Sequence, residues 1–220
     1  MIFAKLFSEQ FFMVDKNPSI TRSNKILIPI HSEIKNFLKT LTKDDIIALP
    51  DKEYCFDSEI GSKKVDIAIV NKNNELKAAI LFKAIRSEYN KNANNYYENM
   101  KGESSLFIDN GIPIYQIIFI PTKVRHKNSK GEKVFEIPTS KSFNNYYNFN
   151  KNHSNYWDTL KLGVYYFDID YENYSGTYSK DKRIPNVENT LTEGLKNFIQ
   201  EVNNGQSKNF RTSNDTNFNC

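Results

Sequence analysis

Residues 65–83 read VDIAIVNKNNELKAAILFK, two apolar, partly β-branched runs separated by Asn-Lys-Asn-Asn. Val65, Ile67 and Ile69, then Ala79, Ile80, Leu81 and Phe82, are the content of buried strands, and the polar interval marks a turn. The stretch is therefore a β-hairpin. With residues 71–74 as its loop, Val70 faces Glu75, and continued pairing sets Asp66 opposite Ala79. Facing residues share a side of the sheet, as do residues two apart along a strand. Asp66, Ala79, Leu81 and Lys83 thus project to one face, where a carboxylate and an ammonium meet at the end of otherwise apolar strands. An Asp–Lys pair at a sheet edge accounts for the same spacing.

Around this hairpin the chain alternates helix and strand signals. In residues 31–41, Ile34, Phe37, Leu38 and Leu41 fall at helical spacing, with Lys35, Asn36 and Lys39 opposite. DIIALP extends that helix or forms a turn stopped by Pro50. EYCFDSEIG is a strand running into a turn. Residues 87–102 read as a helix with Ser87 as N-cap, Gly102 as its stop, and a stripe of Tyr89, Ala93, Tyr96 and Met100 assigned to core packing. IPIYQIIFIP is a central strand, KVRHKNSKGEK a basic loop or hairpin tip, and residues 143–158 a polar, aromatic-rich connection or short helix. LGVYYFDIDYEN is a further strand. A terminal helix follows over residues 186–203, with Leu191, Leu195, Phe198 and Val202 on one side. The order predicts one α/β domain over residues 1–204 with a mixed central sheet flanked by helices, and a loose tail over 205–220.

A formal charge of +4 on 220 residues is compatible with a polyanion partner without demanding one. Two cysteines, Cys55 and Cys220, do not make a disulfide framework, and no Cys/His spacing suggests zinc. Cys55, beside Phe56, reads as a small core residue. His31, His126 and His153 are scattered. No apolar run approaches the ~20 residues of a membrane span, so the reading is a cytoplasmic, soluble protein.

The run from Lys63 to Glu103 resembles the core of the PD-(D/E)xK nuclease superfamily, as in type II restriction endonucleases. The resemblance is carried by KKVDIAIV, a short turn, a second strand ending in LFK, and the helix SEYNKNANNYYENMKGE. It continues more weakly through IYQIIFIP, KNSKGEKVFEIP and LGVYYFDIDYEN. It implies a restriction-endonuclease-like core and Mg²⁺-dependent hydrolysis of double-stranded DNA. Asp66 and the main-chain carbonyl of Phe82 would be metal ligands, and Lys83 would activate water or stabilise transition-state charge. A homodimer is expected for palindromic sites, with a cognate methyltransferase as a possible partner in the same system.

One position departs from the motif: Leu81 stands where the family carries Asp or Glu. Glu75 with Lys77 spells E-x-K but lies beside the turn, more than ~10 Å along the strand from Asp66. Glu59, in the segment entering the hairpin, is the first choice for a displaced acid, ahead of Glu98 and Glu103. Lys63, Lys64, Lys123, Arg125 and Lys127 are candidate phosphate contacts, and Asn90 and Asn94 candidate contacts to bases or sugars. Three readings stand: a restriction-type endonuclease, a nuclease-fold protein reduced to DNA binding or a partner-subunit role, and an α/β protein in which Asp66 and Lys83 merely pair.

Overall fold

The computed structural model describes residues 2–20, 24–59, 61–139, 145–146, 159–179 and 190–205, with the side chains of Pro18, Asn24, His126 and Lys127 outside the description. The chain is mixed α/β. It begins with α1 (Ile2–Lys16), two short 3₁₀ turns, and α2 (Ile28–Leu38). β1 (Asp45–Ala48), β2 (Tyr54–Ser58), β3 (Gly61–Val65), β4 (Ile67–Val70) and β5 (Leu76–Ala84) follow. Then come α3 (Tyr89–Asp109), β6 (Ile114–Pro121), β7 (Val124–Lys127), β8 (Lys133–Glu136), β9 (Leu160–Asp170), β10 (Ser175–Tyr178) and α4 (Leu191–Asn203). The tail and most of residues 143–158, with His153 and Cys220, lie outside the described residues.

Six strands form one sheet in the order β1-β4-β5-β6-β9-β10. β1, β4 and β5 are antiparallel neighbours, β5, β6 and β9 run parallel, and β10 returns antiparallel to β9. A parallel pair needs a long crossover, and α3 supplies it between β5 and β6. All eight residues of β6 are buried, as a central strand covered on both faces requires.

Alternation along the strands sorts the core into two layers. Ile67, Ile69, Ile80, Phe82, Ile117 and Phe119 face α1, α2 and α4, while Ala68, Val70, Ala79, Leu81 and Ile118 face α3. α1 reaches the sheet through Phe3, Phe7 and Phe11, a helical repeat that Lys5, Glu9 and Gln10 interrupt without breaking. It lies so close to β10 that a Cβ on Gly176 would come within 2.6 Å of the Ala4 carbonyl oxygen. Gly176→Ala is therefore expected to destabilise the chain by about 1–3 kcal/mol, read as a lower urea midpoint, because rigid backbone has to move.

Several expectations are corrected here. DIIALP is neither helix nor turn but β1, the edge strand beside β4. Within EYCFDSEIG the expected strand is β2, Tyr54–Ser58, with Glu59 in a turn; its partner is β3, in a ribbon separate from the main sheet, and Cys55 there is half-buried rather than a core residue. The ribbon leans on α3 through Phe56 and Phe107, stacked at 5.2 Å. α3 runs through Gly102 to Asp109, because Phe107 and Ile108 continue its buried stripe. Its N-cap is Glu88 in a left-handed conformation, with no side-chain cap. The Glu136 carboxylate accepts from the Tyr89 and Asn90 amides instead. α4 opens on a Thr190–Glu193 capping box.

Candidate active site

The hairpin register differs from simple counting. Ile67 pairs with Ile80 and Ala68 with Ala79, and a bulge between Ile69 and Val70 sets Val70 opposite Leu76. Asn71 causes the shift: its side-chain oxygen accepts from the amides of Asn73 and Glu75, and Asn74 takes φ 62°. The pairing thereby moves by two residues, which preserves the face of every side chain. Continued past Ile67, it sets Asp66 level with Leu81, the position where the motif carries its second acid. Leu81 is 3% exposed, in the layer facing α3.

Asp66 itself belongs to neither strand. It is the bend at which β3 of the ribbon becomes β4 of the sheet. Ala79 donates its amide to the Pro113 carbonyl just before β6 and Ile85 to the Phe119 carbonyl within it, so the alternate residue Phe82 turns its N–H and C=O the other way, toward β4. The ladder there has ended at Ile67. The Asp66 carboxylate answers the orphaned amide, with Phe82 N donating to Oδ2 at 2.8 Å. A side-chain oxygen acceptor suits that place, since an unmet buried amide costs about 1–3 kcal/mol.

Burial pushes the Asp66 carboxyl up to about 6. The Phe82 amide and Lys63 oppose the rise, while Glu103 and Glu53 add to it. Glu53 precedes Tyr54, which pairs with Val65, so it stands across the ribbon from Asp66. Glu103 comes from α3, one step beyond Met100 on the stripe that faces the sheet. Both acids are held by lysines: Lys63 Nζ lies 2.8 Å from Glu103 and Lys64 Nζ 3.0 Å from Glu53. Three carboxylates therefore share the field of the kink. Among the described residues, no group of three His, Cys, Asp or Glu is arranged to hold a metal ion by itself.

Lys83 lies on the α3 face by strand alternation, is exposed, and carries its ammonium 5.4 Å from the centre of the Tyr96 ring. It makes no ion pair with Asp66 among the described residues. Glu59 is not brought to Asp66. It sits in the tip of the ribbon beyond the Ser58–Gly61 pair, roughly 15 Å along β3 from the kink. Glu98 pairs on the surface with Lys101 at 3.5 Å.

Most of the expected DNA contacts are engaged internally. Lys63 and Lys64 hold Glu103 and Glu53, and Arg125, with its side chain 11% exposed, pairs with Asp15 and lies 4.6 Å from the Tyr171 ring centre. Asn90 donates to the Ile137 carbonyl and accepts from the Thr139 amide, and Asn94 accepts from Asn145. These asparagines bind the segment after β8 to α3. Lys123 is exposed, and the Lys127 side chain lies outside the description. His31, on α2, is a group whose importance sequence reasoning missed. It is buried edge-on to Phe82 at 5.9 Å, and neither ring nitrogen has a hydrogen-bond partner among the described residues.

No family model matches this chain, nor does any curated protein or solved structure. The functional reading therefore rests on geometry and on the motif.

Proposed function

We propose that the chain is a Mg²⁺-dependent endonuclease of the PD-(D/E)xK type acting on double-stranded DNA, with Glu103 in place of the acid missing at Leu81. One observation carries this reading: a carboxylate fixed at a strand kink, sharing its field with a second carboxylate from α3, beside a strand that ends in Lys83. The succession of hairpin, α3 and parallel strand β6 accords with the order expected of such a core.

The donor set fits a hard cation. Asp66 and the Phe82 main-chain carbonyl offer oxygen, with Glu103 on α3 as the second carboxylate of the proposal, and Mg²⁺ typically takes one or two carboxylates, completing its shell with water and substrate phosphate. When bound, the ion would orient water and offset charge on the scissile phosphate. Asp66 keeps its orientation through the Phe82 amide. Lys63, whose ammonium offsets the acids' charge, is the group a cation would displace. Lys83, which meets no carboxylate among the described residues, is left to donate to a phosphate oxygen or to the attacking water.

The test is conversion of supercoiled plasmid in Mg²⁺ against chelator. Glu103→Gln is expected to lower the rate by about 100-fold, and Glu59→Gln to leave it unchanged. Absence of cleavage in either Mg²⁺ or Mn²⁺ overturns the enzymatic reading. A second reading, DNA binding without cleavage, draws on Leu81 being apolar and buried and on the ion pairs that occupy Glu53 and Glu103. Salt-sensitive duplex binding by a protein that never cuts would establish it.

A further inference from the structure

We propose that Arg86, together with Lys83 and the Tyr96 side chain, forms a pocket for a phosphate group of the nucleic-acid strand, beyond the expected motif; the identity of the strand rests on the nuclease reading above. The argument begins with charge pairing. Lys63, Lys64, Lys77 and Arg125 each meet a carboxylate, at Glu103, Glu53, Asp44 and Asp15. Among the described residues, Lys83 and Arg86 meet none. They stand three positions apart where β5 hands over to α3, and both bear on Tyr96 of that helix: Lys83 lies over its ring, and the Arg86 charge acts on its hydroxyl.

Arg86 is only half-exposed, and its Nη1 is buried without a hydrogen-bond partner among the described residues. A guanidinium cannot shed its proton in a protein, so burial without an anion is a standing cost. The acids that also act on Tyr96 do not relieve it: Glu136 accepts from the amides that begin α3, and Glu88 pairs with Lys91 at 3.6 Å. The part of the half-exposed planar fork that reaches the surface, a flexible ammonium over the same ring and an aromatic wall match a phosphate, whose oxygens accept from both cations at once.

The test uses the intact chain in two arms. In the first, inorganic phosphate is compared with chloride at equal ionic strength by thermal denaturation. Phosphate is expected to raise the Tm of the wild type by about 3–5 °C and of Arg86→Gln by none. In chloride, Arg86→Gln should melt no lower than the wild type. If both Arg86→Gln and Arg86→Lys melt lower in chloride, Arg86 serves the fold and the proposal fails; it fails equally if phosphate protects the wild type and Arg86→Gln alike. In the second arm, duplex binding is followed without divalent ion across a salt series. Arg86→Gln should weaken binding about tenfold and reduce the salt slope by about one, with Arg86→Lys between, and Lys5→Gln, on α1, unchanged. Phosphate protection through Arg86 with no duplex binding by the wild type overturns the nucleic-acid reading and leaves a pocket for a free phosphorylated molecule. Unaltered duplex affinity and slope in Arg86→Gln overturn the strand as its occupant.

Discussion

Asp66→Asn is expected to abolish Mg²⁺-dependent cleavage and, in the same molecule, to raise stability at pH 7.5. The first effect follows from removing the anionic ligand. Metal stabilisation of transition-state charge amounts to several kcal/mol, so its loss slows hydrolysis by about 10³-fold or more. The second follows from burial. With its folded pKa raised by burial to about 6 from the ordinary 3.8, the carboxylate is a destabilising charge at neutral pH. Asparagine keeps an oxygen for the Phe82 amide and sheds the charge, for a gain of about 1–3 kcal/mol.

The sign can be checked against pH. A group whose folded pKa is raised contributes its stability below the unfolded value and loses it as pH rises through the folded one. The advantage of Asp66→Asn should thus be absent below about pH 3.8 and complete above about pH 6. Urea denaturation of the two proteins at pH 4 and 7.5 reads it directly. An asparagine variant less stable than wild type at pH 7.5 would show that the carboxylate serves the fold instead. The same titration bears on the metal: binding below pH 6 has to expel a proton, so apparent Mg²⁺ affinity falls with acidification in wild type.

Local pattern carried some of this site and not the rest. Strand alternation was enough to order Ala79, Leu81 and Lys83 along β5, because an error of two residues in register leaves parity intact, but it did not show Asp66 as the bend whose carboxylate turns to the Phe82 amide. The error came from Asn71, whose side-chain bonds to two amides reshape a loop that counting treats as a plain turn. Glu103 was within reach, since Met100, Glu103 and Phe107 continue the α3 stripe. It stood among the candidate acids behind Glu59, because a stop at Gly102 left it off the helix. Buried contacts on both sides hold that helix through a residue whose own propensity argues for ending it. Glu53 was out of reach while β2 and β3 were not recognised as a paired ribbon. Arg125 and Asp15, 110 residues apart, and Glu136 on the amides of α3, 47 residues apart, are brought together only by the tertiary fold. A basic loop and an asparagine-rich helix look alike in sequence whether they meet a polyanion or one another.

His31→Leu is expected to change the acid side of the stability profile by about 3 kcal/mol, in the direction opposite to Asp66. Burial holds the imidazole down to about 4, with Glu53 pulling the other way. A base with a lowered folded pKa contributes stability that is complete above the unfolded value, near 6.5, and is lost as pH falls toward 4. Over the same interval Asp66 becomes protonated and gains stability. Two shifts of about two to two and a half pH units, at about 1.4 kcal/mol per unit, nearly cancel in the wild type. Removing either exposes the other. Asp66→Asn should lose about 3 kcal/mol between pH 6.5 and 4, and His31→Leu should gain about as much, with the double variant flat. At neutral pH His31→Leu should be no less stable than wild type, since it removes two ring nitrogens buried without partners. Urea midpoints at pH 4, 5, 6 and 7.5 for the four proteins decide it, and a His31→Leu profile parallel to wild type would mean that the imidazole titrates as if it were exposed.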